Sequence, residues 1–460
     1  MKNILLAITG LIILSSLSFS KNLTKISQSV LLNEELLDVY INDDLAFIPG
    51  GLFGLNIVNI SDPAHTVVVG TYSSNNCAWG RLYSWSVFNE YAYGAGRECG
   101  IEIIDISNIT DPQFANNIGK SNIRYEHTEV QNNFLYAARH QAGIEIFSLT
   151  NPRSPFSVGE INTKNAWAVL PFGDFLFVAD GGDGIKIIDI STPSSLSVIA
   201  SLNTSGSAKD LAISGNHLFV AVGANGVDMI DISNPENPLL ISNYNTTGYA
   251  SRVSANDSLV AVSDWDDVEV LGFSTGKLIL KGFKNTTGRT MAVAMKGNDI
   301  ISAEWFLLTM FRYGQVDGAD IDFSERKIEF PRVNNGSQES LSISVSNNGN
   351  ETLSIVSINN NNSDFTVYGP FNSLAPGGKS NVTITYLPGT NNWRKSVIFN
   401  SNDPDETQAA ILLQGNFPYG PMPGDPAPDF DLPLVGKVDN NITLESLNGQ
   451  PTLIAFFTAW

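Results

Sequence analysis

One phrase that returns about every 42 residues limits this chain more than any other feature. It reads Gly, alternating apolar residues around one polar residue, then Asp-Ile-Ser-x-Pro or a near variant. The copies are Gly54-Leu-Asn-Ile-Val-Asn-Ile-Ser-Asp-Pro63, Gly100-Ile-Glu-Ile-Ile-Asp-Ile-Ser107, Gly143-Ile-Glu-Ile-Phe-Ser-Leu-Thr-Asn-Pro152, Gly184-Ile-Lys-Ile-Ile-Asp-Ile-Ser-Thr-Pro193 and Gly226-Val-Asp-Met-Ile-Asp-Ile-Ser-Asn-Pro235. Their starts lie 46, 43, 41 and 42 residues apart. Two degenerate copies come next, Asp267-Val-Glu-Val-Leu-Gly-Phe-Ser274 and Trp305-Phe-Leu-Leu-Thr-Met-Phe311, for seven in all. Each period also holds an apolar stretch centred on Val39, Val87, Val130, Val169, Leu211, Val253 or Val293, a second strand such as Leu218-Phe-Val220, and a closing strand such as Val67-Val-Val69. Short alternating segments bounded by Asn, Asp, Gly and Pro are strands joined by tight turns. Four strands per period predict the blades of a β-propeller.

The Ile-Ile-Asp-Ile-Ser motif resembles that of the LVIVD-repeat propellers of exported proteins, over residues 23–316. Seven copies point to seven blades, with six or eight also compatible. Blade seven has no clear fourth strand after Tyr313, and Lys25-Ile-Ser-Gln-Ser-Val-Leu-Leu32 precedes the first blade, so the N-terminal segment is expected to close the ring.

In this topology the loops between blades and the loops between second and third strands share one face. His127, Arg139, His140, Trp167, Arg252 and Trp265 are the candidate binding residues there, with Asp180, Asp183, Lys209, Asp264, Asp266, Arg289 and Trp305 on the same face. Trp167, Trp265 and Trp305 either stack on a ligand or cap the blade cores, with capping preferred. Of the four histidines only His127 and His140 share a face, which does not support a three-ligand zinc site. Asp180-Gly-Gly-Asp183 and Asp264-Trp-Asp-Asp267 lack full calcium-loop spacing and read as turns. No metal or cofactor is expected.

From Ala319 the period stops, and short strands from Asp322-Phe-Ser324 to Ala410-Ile-Leu-Leu413 predict a sandwich. Asn347-Asn-Gly, Leu374-Ala-Pro-Gly377, Ser401-Asn-Asp-Pro404 and Leu413-Gln-Gly415 resemble the Hydin-type Ig-like domains also found as choice-of-anchor modules, over residues 319–417. That resemblance implies spacing or protein contact and brings no catalytic residue. Residues 418–424 read as a Pro/Gly linker. Residues 425–460, with Asp425-Pro-Ala-Pro-Asp-Phe430 and Pro451-Thr-Leu-Ile-Ala-Phe-Phe-Thr-Ala-Trp460, resemble the opening of a redoxin, the peroxiredoxin and thiol-disulfide oxidoreductase group of thioredoxin fold. The resemblance implies a reactive cysteine directly after Trp460, so a truncated reading frame is expected, and the 460 residues as given lack that thiol chemistry.

Lys2, the apolar run Ile4 to Leu17 and Ser18-Phe19-Ser20 read as a signal peptide over residues 1–20. No later run is long enough to span a bilayer. In an oxidising compartment the only two cysteines, Cys77 and Cys99, are expected to pair, and both fall in loops of the same face. A net charge of −20 from 46 acidic and 26 basic residues disfavours nucleic acid. The fold class expected is therefore all-β: a seven-bladed β-propeller, an Ig-like β-sandwich and an incomplete thioredoxin-fold start. The function expected is an exported binding and spacing module whose parent carries a redoxin. The alternative is a purely adhesive or scaffolding cell-surface protein. A protein, peptide or glycan would sit on the propeller face. A propeller hydrolase ranks last, since no nucleophile-elbow, His-Glu-x-x-His or P-loop pattern occurs.

Overall fold

A computed structural model describes residues 22–416 except 32–34, 51–53, 75–81, 98, 121, 247, 275, 306, 315–317, 325–326, 335, 360–363, 370–372, 389–393 and 405–406; beyond 416 it describes only 431–433 and 441–443. The residues read as signal peptide, Cys77, the linker and most of the redoxin-like segment lie outside the described residues. No described helix is long and apolar enough to cross a membrane.

Five antiparallel sheets of four strands succeed one another, beginning with Tyr40–Asn42, Leu82–Phe88, His127–Gln131, Ala168–Phe172 and Asp210–Ser214. A seven-stranded sheet then contains two further units. Its strand Ile279–Lys296 pairs with Trp265–Gly272 through its first half and with Asp299–Glu304 through its second. The N-terminal strand Asn22–Val30 lies antiparallel to Leu307–Gly314, so the chain's start supplies the strand that the last repeat lacks. Seven apolar clusters each span two neighbouring units. One of them joins Ala292, Ile301 and Leu308 to Val39, Ile48 and Val58, bringing the last unit against the first. Both faces of the middle strands of each small sheet are thereby buried, as in Phe134–Ala138 and Ile144–Ser148, whereas outer strands such as Phe156–Ile161 stay largely exposed.

The repeated phrase has a physical reason at each position. Its leading glycine is left-handed (φ 73° at Gly143 and Gly184), and a Cβ there would lie 2.2 Å from the carbonyl of Ile161 or Leu202 on the outer strand. The third residue is polar and buried, as at Asn56, Glu102, Glu145 and Asp228. The terminal Asp ends the third strand on the opposite side of the sheet, where Asp105, Asp189 and Asp231 accept the N–H of Ser107, Ser191 and Ser233 at 2.8–3.0 Å. These local turns also hold the three carboxyls below the usual carboxylate range.

Two further sheets face each other across a core containing Phe323, Phe365, Tyr386 and Phe399. The motif residues of this part act as plugs for main chain. Buried Asn347 accepts from Asp320 N and donates to Glu351 O and Leu374 O, and buried Asp403 accepts from Ile321 N at 3.0 Å. Strands Asp431–Pro433 and Asn441–Thr443 form an antiparallel pair.

Candidate binding face and central channel

The first strands of the units converge on a cavity of about 240 Å³ lined by Asp38, His127, Glu129, Asp210 and Arg252 among others. Side chains here join one unit to the next. Ser84 Oγ accepts from Thr128 N at 2.9 Å, His127 Nδ1 from Val169 N at 3.5 Å, Asp210 Oδ2 from Val253 N at 2.9 Å and Ser254 Oγ from Met295 N at 3.0 Å. Arg252 Nε lies 3.5 Å from Asp38 Oδ1. Burial pushes the Glu129 carboxyl up to about 8, with Asp38 and Asp210 adding to it. Burial raises Asp210 to about 6 against the pull of Arg252. Burial, then Arg252, pulls His127 down to about 3, so its ring is neutral and its Nδ1 is free to accept. At neutral pH the channel therefore holds a neutral histidine, a largely protonated glutamic acid and an Asp–Arg–Asp group. Two of these groups are spent on main-chain bonds between sheets.

On the loop face, main chain is consumed in the same way. Isolated antiparallel bridges tie each turn between second and third strands to the start of the next unit: Arg97 to Arg124, His140 to Ala166, Gly181 to Ala208 and Gly223 to Ala250. The bridging turn residue is left-handed in His140, Gly181 and Gly223, at φ 48°, 60° and 65°. The corresponding residues of the last two units, Trp265 and Trp305, are left-handed too, at φ 64° and 34°. Glycine occupies that conformation without steric cost; three of these five turns carry a large ring instead.

Those rings meet cations. Trp265 stacks on Tyr249 with centroids 4.5 Å apart, and the guanidinium of Arg289 lies 4.4 Å from the Trp265 ring and 5.8 Å from that of Trp305. Lys209 Nζ lies 3.9 Å over Trp167, which His140 meets edge-on at 5.2 Å. Arg97 lies 4.4 Å from the Tyr83 ring and pairs with buried Glu126 at 3.1 Å. Burial holds His140 below its usual range, with Arg124, Arg97 and Lys209 adding to this and Glu126 opposing.

The six residues singled out by sequence thus do not form one site. His127 and Arg252 line the channel, whereas His140 and Trp167 touch on the loop face and Trp265 belongs to a separate cluster with Tyr249 and Arg289. Arg139 lies beneath the face, 2% exposed, with its guanidinium 3.0 Å from both Glu145 and Glu160. The aspartates grouped there are also engaged. Asp180 accepts from Lys164 N and Asn165 N, and Asp183 pairs with Lys164 Nζ at 2.7 Å. Asp264, Asp266 and Asp267 bring carboxylate oxygens within 4.8 Å of one another, but Asp264 accepts from Thr246 Oγ1 and Gly248 N as Asp228 accepts from Ser205. Cys99 sits in the turn after Gly96 on this face, and no described cysteine is free. Sequence reading missed Asp38, Glu129 and Asp210; the signal available was a charged residue directly before the apolar centre of four first strands, Asp38, Glu129, Asp210 and Arg252.

Comparison with known proteins agrees with this architecture. Residues 37–74, 83–118, 164–204 and 205–246 match the family described as LVIVD repeat, and residues 319–416 match the HYDIN/CFA65/VesB-like, Ig-like domain. Among solved structures the chain is similar to the WD40 beta propeller domain of Doa1, at a TM-score of 0.51 and 11% identity over 63% of this chain and 96% of that one. It is likewise similar to a chain of the Mitotic Checkpoint Complex, at 0.50 and 11% over 63% and 95%. Identities this low show the fold alone: an all-β chain with a β-propeller built from LVIVD repeats, followed by an Ig-like domain. No curated protein matches the sequence.

Proposed function

We propose that this chain is an exported binding and spacing module in which a seven-bladed ring, closed by Asn22–Val30, presents its loop face to a partner and the Ig-like domain spaces it from the C-terminal segment. One observation carries the reading. Several carboxylates of the loop face are engaged by neighbouring cations, Glu126 by Arg97 and Asp183 by Lys164, whereas Lys209 and Arg289 lie against tryptophans there, and among the described residues neither forms an ion pair. Such a face recognises; among the described residues it holds no nucleophile with an adjacent base. Cys77 and Cys99 are assigned as a disulfide that pins one loop of this face, and residues 1–20 as the signal peptide that brings the chain to an oxidising compartment.

The test is binding to arrays of soluble glycans and peptides, comparing Trp305→Ala on the loop face with Phe172→Ser on the exposed hairpin at the opposite end of the first strands. Ligands lost with the first change and kept with the second support the reading. Ligands equally sensitive to both, or no ligand at all, refute it.

A second element of the proposal is that the parent protein carries a redoxin domain from about residue 425. It rests on the order of the Asp425–Phe430 and Pro451–Trp460 segments, and the paired strands Asp431–Pro433 and Asn441–Thr443 suit the opening of such a domain. Reading the source DNA beyond codon 460 tests it: an in-frame cysteine within a few codons supports the assignment, and a stop codon removes it, leaving the scaffolding alternative.

A further inference from the structure

Both ends of the propeller strands carry acidic residues, and the loop face adds cations seated on aromatic rings. The terminal acidic residue of each repeat, such as Asp105, Asp189 and Asp231, and the hairpin tips at Asp43, Asp174 and Asp257 all lie at the end opposite the loop face. The loop face, in a chain of net charge −20, carries half-buried Lys209 and exposed Arg289 together with exposed Asp266, while Arg97 near His140 is paired with Glu126. Arg289 is exposed, and contacts with Trp265 and Trp305 fix where its guanidinium sits without neutralising it. Holding two tryptophans and a histidine in left-handed turns, where Gly181 and Gly223 serve the same bridge, strains the backbone at three places. At two of these places, Trp265 and Trp305, the left-handed residue is also the ring that meets Arg289.

We infer that the loop face binds an acidic polysaccharide, its carboxylate or sulfate groups engaging Lys209 and Arg289 while sugar C–H faces pack on the half-buried rings of Trp167 and Trp305. This rests on the loop-face reading above and names its ligand. A glycan fits better than an acidic peptide because the main chain here is already paired in the bridges between units, leaving no strand edge among the described residues of this face to which a peptide could add. Two separate cations, each seated on an aromatic ring, suit a ligand that carries more than one acidic group. The overall acidity of the chain opposes the phosphate density of nucleic acid.

The experiment uses the full chain and hexameric oligogalacturonate, with its methyl-esterified form, poly-glutamate and single-stranded DNA of equal length as comparisons, by calorimetry at about 50 and about 300 mM salt. Oligogalacturonate is expected to bind, to weaken about tenfold on esterification, and to weaken about tenfold in Arg289→Ala and in Lys209→Ala, with Arg289→Lys between. High salt should weaken it in the native chain more than in either alanine variant. Tighter binding of poly-glutamate or DNA, still lost in Trp305→Ala, would keep the loop face and overturn the polysaccharide. Equal binding of the esterified form overturns the role of the cations. Failure of all four ligands overturns the inference, and the array comparison then decides whether the loop-face reading survives with a different ligand.

Discussion

Glu129 is the residue at which the channel's chemistry is most open to measurement. Its carboxyl is pushed up to about 8 by burial among Asp38, Asp210, Arg252 and His127, against 4.5 in an unfolded chain. The folded state thus holds a proton that the unfolded state releases, and stability falls as pH rises from about 4.5 to about 8. At roughly 1.4 kcal/mol per pH unit this shift corresponds to about 5 kcal/mol, of which roughly 4 falls between pH 5 and 9. Glu129 keeps partial exposure, so solvent screens part of that, and about 2 kcal/mol is expected. In Glu129→Gln the neutral amide still accepts from Val130 N and cannot ionise. Thermal unfolding of both proteins at pH 5 and pH 9 checks this. The native chain should lose about 4–8 °C more in the propeller transition than the variant. Asp210, raised to about 6, titrates in both proteins and largely cancels in the comparison. Parallel falls in the two proteins would refute the buried proton at Glu129.

Three other outcomes derive from the same contacts. Arg139→Ala should destabilise by about 3–5 kcal/mol in denaturant titrations, because Glu145 would remain buried without its partner; a loss under about 1 kcal/mol would mean the pair is solvated. Trp265→Gly should be more stable than Trp265→Ala by about 1 kcal/mol, since both lose the ring but only alanine keeps the strain of φ 64°, and equal stabilities would show the backbone there to be relaxed. Non-reducing peptide mapping should recover Cys77 and Cys99 in one linked fragment, with Cys99→Ser costing about 3 kcal/mol; full labelling of both thiols in the native protein would remove the bridge.

How much of this was legible in advance depends on the period of the signal. The 42-residue repeat fixed strand order because each copy restates the same turn chemistry, and the unmatched last repeat pointed to the N-terminal segment Lys25–Leu32; the strand that pairs with Leu307–Gly314 is Asn22–Val30. The sandwich was equally readable, since Asn347 and Asp403 sit in motifs whose side chains satisfy buried main chain. The site was read less well. Arg139 and Arg252 look alike in sequence, both arginines flanking an apolar strand, yet one neutralises Glu145 beneath the face and the other meets Asp38 across the channel. Which partner each finds depends on residues from other units, and no local pattern carries that. The shared strand Ile279–Lys296 shows the same limit: Asn285-Thr-Thr-Gly-Arg-Thr290 has the composition of a turn, yet the sixth and seventh units run together through it, paired on one side by Trp265–Gly272 and on the other by Asp299–Glu304.

The acidity of the chain, read as a bulk number, argued only against nucleic acid, and the structure shows what the acids do. Acidic side chains in this fold do two jobs: at Glu102, Glu145 and Asp228 they accept hydrogen bonds inside, and at Asp105, Asp189 and Asp231 they close turns at one end. Both jobs are written into the repeat, so every added copy deepens the negative charge of the turn end, and neither job sets an acid out on the loop face. Cations carry no such repeated duty. Lys209 occurs once, over Trp167, and Arg289 occurs once, beside Trp265 and Trp305 at turns where Gly181 and Gly223 serve in other units. A feature repeated in every unit serves the scaffold, whereas one that breaks the repeat at a strained backbone position has to be retained for something outside it, which is why binding here is expected to track these few exceptions and not the motif.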